Sequence, residues 1–265
     1  YLGLVIFKNN LNSKLLINKS KTEGKESPHY EGVAQVMVAT TIGIATDLWG
    51  DMPFSKGFKG TENVLNTAYD SQEKIYDTIF TILDDAMANL SSTSNVLDVS
   101  GDVIYGGNVT KWKKAAASIK ARHALQLSGK NGNAAYTQAL AAVANGFTSN
   151  ADDMLVPWET ANKNPIFQFM EQRGDIRMGA TLVNMLAENG DPRLPFYVAK
   201  DVDGNYTGSE AGSENTSASA PGSYNAAATA PSILMSYSEL KFIEAEAKFM
   251  LGQAGALAAY EAAVA

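Results

Sequence analysis

Apolar residues recur at helical spacing in several separate segments of the chain, and this periodicity constrains the fold more than any other feature. The clearest case is 71–90, where Ile75, Ile79 and Leu83 would share one face of a helix. Further helices are predicted where the spacing recurs: at 31–48, 111–128, 133–145, 179–189, 237–251 and from about Gly255. The last two are joined by only a few residues, as in the helix pairs of solenoid proteins. The pattern therefore predicts an all-α fold.

Polar residues mark the starts of three of these helices. Asp70 is expected to cap the helix at 71–90, and Thr110 the helix at 111–128. Ser236 and Glu239 have the spacing of a capping box at the start of 237–251. Because these side chains would bond backbone N–H groups that a helix leaves free, they are predicted to be structural.

Three stretches interrupt the helical pattern. Residues 8–30 are polar and are predicted to form a helix end or a loop, and residues 147–165 are predicted to be irregular. In 200–232, Gly, Ser, Ala, Thr and Asn dominate, which predicts a loop-rich insertion in a single helical domain spanning 1–265. The chain begins without Met and stops inside an alanine-rich helical pattern, so we interpret it as a fragment of a longer chain.

Composition excludes several kinds of chemistry. Lys and Arg total 21 against 28 Asp and Glu, for a net charge of −7 without a basic block, so no nucleic-acid partner is expected. The absence of cysteine excludes disulfides, thiolate metal sites and a cysteine nucleophile within these residues. The two histidines, His29 and His123, are too few for a histidine-rich metal site, and the sequence has no phosphate-binding loop or hydrolase motif. No cofactor is predicted.

Several stretches, taken in order, resemble the SusD/RagB-like outer-membrane lipoproteins, and more closely their variant group. The first is DLWGDMPFS at 47–55, followed by the helical segment at 69–90. The others are DVIYGG at 102–107, KWKK at 111–114, SIKAR at 118–122, DPRLP at 191–195, YTG at 206–208 and SYSELKFIEAEA at 236–247. Each is short, but their order over roughly 31–255 makes the resemblance specific.

The resemblance implies tetratricopeptide-like helix pairs stacked in a right-handed superhelix, with an irregular lobe attached. It implies anchoring on the outer face of the outer membrane through an N-terminal lipidated cysteine, which lies outside this chain. It also implies a SusC-like TonB-dependent transporter as partner, and a glycan or other oligomeric nutrient as ligand. Members of the family bind their ligands and do not cleave them, so the resemblance predicts a binding lipoprotein and not an enzyme.

Two other functions stay open from the residues alone. The chain could be a helical-repeat scaffold whose only ligand is another protein. A glycoside hydrolase has weaker support, because it needs two carboxylates that face each other across a cleft, which sequence cannot show.

Candidate ligand-binding residues lie in the irregular segments. Sugars are bound by flat aromatic faces together with amide and carboxylate groups. Trp158 is the first aromatic candidate, with Glu159, Asn162 and Asn164 as its polar complement. Tyr206 is the second. The alternatives are a loop tryptophan that plugs the edge of the core and a solvent-exposed tyrosine in a turn.

Other conspicuous residues are predicted to be structural. Trp49 belongs to the turn at 47–54, in which Asp47 and Asp51 are expected to bond local backbone N–H groups. Trp112 is predicted to lie in the core.

The remaining polar and aromatic features also have structural interpretations. Tyr105 is predicted to lie in the core, and His123 to be buried and hydrogen-bonded on an apolar helix face. The sequence at 201–205 resembles the start of a calcium loop, but it lacks the glycine and the terminal glutamate, so a turn is predicted.

Overall fold

The computed structural model describes residues 2–58 and 66–265, and side chains from residue 10 onwards. The chain divides into two compact units. The first comprises Tyr1–Met154 and Met235–Ala265, and the second comprises Leu155–Leu234. The predicted insertion at 200–232 lies within the second unit. The assignment of the whole chain to one domain stays a prediction.

The regular elements are mainly helices. In chain order the helices are α1 (Leu2–Ser20), α2 (Pro28–Trp49), α3 (Gln72–Asn89), α4 (Val109–Gln126), α5 (Ser128–Asn131), α6 (Asn133–Val143), α7 (Pro165–Gln172), α8 (Ala180–Glu188), α9 (Leu194–Tyr197), α10 (Ser223–Ala226), α11 (Tyr237–Met250) and α12 (Ala256–Val264). A 3₁₀ turn covers Asn150–Asp152, and β1 (Met154–Val156) pairs with β2 (Ser232–Met235).

The long helices of the first unit pack in series. Contacts join α1 to α2, α2 to α3, α3 to α4, α4 to α6, α6 to α11 and α11 to α12. The predicted stripe of α3 is buried, since Ile75, Ile79 and Leu83 are shielded from solvent. Burial of such stripes supplies most of the stability of a helical stack.

Small residues set how closely these helices approach. Ala139 of α6 is fully buried. A Cβ atom on Gly146 would lie 2.6 Å from Leu240 Cδ2 and 2.8 Å from Ser118 Oγ. A Cβ atom on Gly43 would lie 2.3 Å from His123 Cε1. Larger residues at these glycines would therefore push the helices apart.

The segment before α2, predicted to be a helix end or a loop, contains both. Residues 8–20 form the C-terminal part of α1, and residues 21–27 connect it to α2. Asn10 is fully buried, and its Oδ1 accepts a hydrogen bond from Thr41 Oγ1 of α2 at 2.9 Å. Packing against α2 therefore stabilises a polar segment whose own helix propensity is weak.

Two helix caps lie at neighbours of the predicted residues. Ser71, not Asp70, caps α3, with its Oγ accepting from the backbone N–H three residues on at 3.3 Å. Asn108, not Thr110, caps α4 in the same way at 3.0 Å. Both shifts are within the uncertainty of helix boundaries read from sequence.

Asp70 instead fixes the turn that follows α2. Its carboxylate accepts hydrogen bonds from Ser55 N at 2.7 Å, Ser55 Oγ at 2.8 Å, Phe54 N at 3.2 Å and Lys74 Nζ at 2.7 Å. The hydrogen bonds from Lys74 and from the Ser55 backbone hold the pKa of Asp70 well below its usual range.

Asp47 and Asp51 do not make the local bonds that were predicted. Asp47 accepts from Tyr76 Oη at 2.6 Å and from Gln126 Nε2 at 3.1 Å. Asp51 accepts from the backbone N–H of Gln72 at 2.8 Å. Both carboxylates thus join α2 and its turn to later helices. These partners could not be predicted because they are far apart in the sequence.

Glu239 also differs from its prediction. Ser236 Oγ accepts from Glu239 N at 3.1 Å and caps α11 as expected. The Glu239 carboxylate, however, pairs with Arg122 through Nε at 2.5 Å and a terminal nitrogen at 2.6 Å. This bidentate pair joins α11 to α4 across 117 residues of sequence.

The predictions for Trp112 and His123 are confirmed, whereas Tyr105 is only partly buried, with its hydroxyl group donating to Asp152 O at 2.7 Å. Trp112 is 1% exposed, and its indole N–H donates to Asp102 Oδ2 at 2.7 Å. The Tyr105 ring packs edge-on against Trp112 with centroids 5.2 Å apart. His123 is buried with Nδ1 2.8 Å from Gln126 Oε1, and burial lowers the pKa of its imidazole.

One helix in the described part of the chain, α2, has the length and the apolar composition of a membrane-crossing helix. More than half of its most apolar stretch, 61%, is buried inside the protein. This burial is typical of a core helix.

The second unit has little regular structure. Its core centres on Val183, Leu186 and Val198. The turn predicted at 201–205 is confirmed, because Asp201 Oδ1 accepts from Asp203 N at 3.0 Å and from Asn205 N at 2.8 Å.

Candidate functional site

Trp158 lies in the second unit, directly after β1. Its side chain is half-buried, and its indole N–H donates to Ser232 Oγ of β2 at 2.9 Å. This hydrogen bond restricts the rotation of the ring. A fixed and partly exposed indole can present a flat apolar surface to a ligand.

Glu159 and Asn162 lie in a tight turn next to Trp158. The backbone N–H of Glu159 donates to Asn162 O at 3.1 Å, and the N–H of Asn162 donates to Glu159 O at 3.0 Å. Both residues are exposed. Three of the predicted site residues therefore lie in one short segment that is at least partly exposed to solvent.

Asn164 has a structural role. It is 2% exposed, and its Oδ1 caps α7 by accepting from Ile166 N at 2.7 Å and Phe167 N at 3.2 Å. Its Nδ2 donates to Ala230 O at 2.8 Å. Both ends of the Asn164 carboxamide are thus bonded inside the protein.

Tyr206 lies apart from the Trp158 turn. It packs against the core formed by Val183, Leu186 and Val198, and Lys200 Nζ lies 5.7 Å from its ring centroid. Within the second unit, all of which is described, neither a hydrogen bond nor a ring contact joins Tyr206 to Trp158. The two aromatic candidates therefore do not form one contiguous stack.

The sequence analysis missed a second pair of aromatic residues in this unit, Tyr197 and Tyr224. Their ring centroids are 4.9 Å apart. Tyr224 could have been noticed as an aromatic residue within the polar segment 200–232. Tyr197 could not, because LPFY at 194–197 reads as a core segment.

Trp49 is more accessible than a purely structural role suggests. It ends α2 with 53% of its surface exposed. Its turn is nevertheless held by other groups, such as the Gly50 N–H, which donates to Thr46 O at 2.8 Å. Trp49 is thus an exposed tryptophan of the first unit.

The acidic residues of α11 do not form an opposed pair. Glu244 binds Lys241 and also Lys248, the latter at 2.5 Å. Glu246 lies instead beside Phe242 and Phe249 at the groove between α11 and α12. Among the residues that the structure describes, no group of three or more histidine or acidic side chains could hold a metal ion.

Comparison with known proteins shows the family to which this chain belongs. Residues 5–265 match the SusD-like_2 family, which is described as starch-binding and associating with the outer membrane. Comparison with curated proteins gave no significant match.

Three solved structures illustrate the similarity. A SusD/RagB family protein from Bacteroides thetaiotaomicron is 29% identical, with a TM-score of 0.85, over 98% of this chain and 57% of its own. A chitin-binding protein is 27% identical, with a TM-score of 0.84, over 99% of this chain and 61% of its own. A chitin-binding SusD homologue from Flavobacterium johnsoniae is 26% identical, with a TM-score of 0.83, over 98% of this chain and 56% of its own.

This chain thus spans only 56% to 61% of the length of these relatives. The predicted all-α fold of tetratricopeptide-like helix pairs is confirmed by the helical series and by these structures. The predicted resemblance is confirmed as well. With a family match over almost its whole length, the chain belongs to the SusD-like_2 family of starch-binding, outer-membrane-associated proteins.

Proposed function

We propose that the protein captures a glycan or a related oligomeric nutrient at the outer surface of the outer membrane and passes it to a SusC-like TonB-dependent transporter. An N-terminal lipid would anchor it to the membrane. Its role is to bind and deliver, without cleavage of the ligand. The family match and the chitin-binding relatives support a glycan ligand.

The observation that carries the ligand site is the fixed indole of Trp158. Because its N–H is held by Ser232 Oγ, the ring needs little reorganisation when a sugar arrives. Such preorganisation lowers the entropic cost of binding. The apolar face of a pyranose would stack on this ring.

The polar groups of the same turn complete the proposed site. Glu159 would accept hydrogen bonds from sugar hydroxyls, and Asn162 could both donate and accept them. A hydrogen bond to a carboxylate is stronger than one between neutral groups. The turn thus combines stacking with hydroxyl recognition and requires no metal.

The test is isothermal titration of the protein with N-acetylchitohexaose and maltohexaose, the oligomers that correspond to chitin and starch. We expect at least one to bind the wild-type protein. Trp158→Ala should weaken that binding about tenfold, since loss of stacking is worth about 1.4 kcal/mol.

Trp49→Ala is the matched control, because it removes an exposed tryptophan from the other unit. It should bind as the wild type does. Equal affinities for Trp158→Ala and wild type would refute the site but not the glycan ligand. If neither oligomer binds and a protein partner co-purifies, the helical scaffold becomes the better explanation.

A further inference from the structure

A pair of tyrosines in the second unit forms a surface that the Trp158 turn does not include. Tyr197 belongs to α9 and Tyr224 to α10. Their ring planes are inclined at 58° and their centroids are 4.9 Å apart. Tyr224 is 45% exposed, whereas Tyr197 is partly buried. The pair therefore presents an aromatic corner to solvent.

The side chain of Tyr197 is held by packing against the core of the second unit. Together with Leu194 it packs against the core formed by Val183, Leu186 and Val198. The ring that supports Tyr224 is thus held by apolar contacts of the unit itself. A side chain that is already immobilised loses little rotamer entropy when a ligand binds.

The segment that carries Tyr224 is tied to the segment that carries Tyr197. Gly222 N donates to Tyr197 O at 2.8 Å, and Ala199 N donates to Ala220 O at 3.0 Å. A Cβ atom on Gly222 would lie only 2.4 Å from Phe196 O. This close approach requires glycine, and it fixes the backbone immediately before α10.

Polar groups lie in the same two segments. Arg193 is one helical turn before Tyr197, and the Tyr197 N–H donates to Arg193 O at 3.1 Å. The Arg193 guanidinium is 2.6 Å from Asp191 Oδ2, so the two charges balance. Asn225 follows Tyr224 and is exposed. These groups supply hydrogen-bond donors and acceptors without a net charge.

We propose that Tyr224 and Tyr197 form a second stacking platform, which binds the apolar face of an uncharged pyranose ring. This inference rests on the proposed glycan ligand and adds a contact separate from Trp158. An aromatic corner whose two segments carry balanced charges suits a neutral sugar, which has an apolar face and a ring of hydroxyl groups. Because the charge of Arg193 is paired with Asp191, these segments offer no uncompensated arginine to an acidic sugar.

The test is isothermal titration with N-acetylchitohexaose, maltohexaose and cellohexaose. For the hexasaccharide that the wild type binds best, Tyr224→Ala should weaken binding about fivefold to tenfold. Tyr224→Phe keeps the ring and should stay within about twofold of wild type. Tyr224→Leu keeps apolar bulk without a ring and should lose as much affinity as the alanine variant.

Tyr260→Ala is the matched control. Tyr260 is 52% exposed and is also paired with an aromatic ring, since its centroid lies 5.8 Å from that of Phe242, but it belongs to the first unit. It should leave affinity unchanged, and thermal unfolding of all variants would verify that they are folded.

The outcomes separate the two proposals. Wild-type affinity in Tyr224→Ala, with a loss in Trp158→Ala, would overturn the platform and leave the proposed function standing. Wild-type affinity in Tyr224→Leu would also overturn it, because a ring would then not be needed. A wild-type protein that binds none of the three hexasaccharides would contradict the proposed function and the platform together.

Discussion

Each of the two units of this protein is stabilised internally in a different way. The first buries whole stripes of apolar side chains between long helices, as in α3 and α4. The second has a smaller core around Val183, Leu186 and Val198, and its loops are fixed by polar side chains bonded to backbone groups. Asp201 and Asn164 are examples, each bonding at least two backbone N–H groups.

This difference affects which aromatic residues stabilise the fold and which are available to bind a ligand. Burial of Trp112 stabilises the helical stack, while Trp49 and Tyr260 of the same unit stay exposed and are not needed for its core. A loop-rich unit whose backbone is fixed by hydrogen bonds can leave aromatic rings partly exposed, as at Trp158 and Tyr224. Binding residues are often carried on loops that a rigid scaffold supports. The comparison predicts where substitutions affect unfolding and where they affect the ligand.

The largest effect on stability is expected from Trp112→Ala. Loss of a fully buried tryptophan should lower the free energy of unfolding by about 3–5 kcal/mol, since it leaves a cavity in the core. It would also leave Asp102 Oδ2 without the indole N–H that donates to it. Urea unfolding followed by circular dichroism measures the change.

Trp158→Ala is the counterpart in the second unit. Because Trp158 is only half-buried, its loss should cost about 1 kcal/mol. If both variants lost the same stability, the contrast between a buried core tryptophan and a partly exposed ligand-facing one would be wrong.

An intermediate effect is expected from Asp152→Asn. Asp152 is buried in the first unit, and its Oδ2 accepts from Lys114 Nζ and Thr148 N, both at 2.8 Å. Burial alone would raise the pKa of Asp152, but the hydrogen bonds from Lys114 and Thr148 lower it to about 2. The substitution should cost about 2 kcal/mol at neutral pH, as expected for hydrogen bonds to a charged group.

The pH dependence of this effect has a definite sign. A carboxylate with a lowered pKa in the folded state stabilises that state above its unfolded pKa, near 4, and loses the contribution as pH falls towards about 2. The difference between wild type and Asp152→Asn should therefore shrink across that window in urea unfolding series. Asp191→Asn is the control in the second unit, where the paired carboxylate is more accessible and its effect should be smaller. A constant difference from pH 6 to pH 2 would contradict the prediction.

A similarly small effect on stability is expected from Asn164→Ala, at about 1 kcal/mol for loss of a helix cap. The three hydrogen bonds of its side chain all lie within the second unit, so the loss should be local. Hydrogen exchange should accelerate in α7 and near Ala230 and stay unchanged in α3.

Ser71→Ala removes a cap from the first unit and provides the matched control. It should accelerate exchange only at the start of α3. Faster exchange throughout the chain in Asn164→Ala would indicate that the second unit does not have its own stability.

Helix positions could be predicted because the information is local. An apolar residue every three or four positions specifies a buried helix face wherever the helix packs, and α3, α4 and α11 were found close to their predicted bounds. The segment at 8–20 lacks such a pattern, so the sequence left a helix end and a loop as alternatives there. Contact with α2, as between Asn10 and Thr41, stabilises the helix.

The candidate site was only partly accessible to the same reasoning. An aromatic residue in an irregular segment drew attention to Trp158, and its polar neighbours Glu159 and Asn162 follow it in sequence. In the structure, Glu159 and Asn162 are exposed in a turn next to Trp158. Asn164, like Asn162, is an asparagine a few residues after Trp158, yet it is buried and caps α7. Whether an asparagine faces solvent depends on the backbone around it, which composition does not specify.

The sequence alone determined the all-helical class, the family resemblance and the absence of thiol chemistry, since each follows from residue identity and short-range spacing. Tertiary structure decided which distant groups meet: Glu239 with Arg122, Asp47 with Tyr76, and Tyr197 with Tyr224. The physical reason is that hydrogen bonds and ring contacts act over a few ångströms in space. Only the folded path of the chain sets those distances.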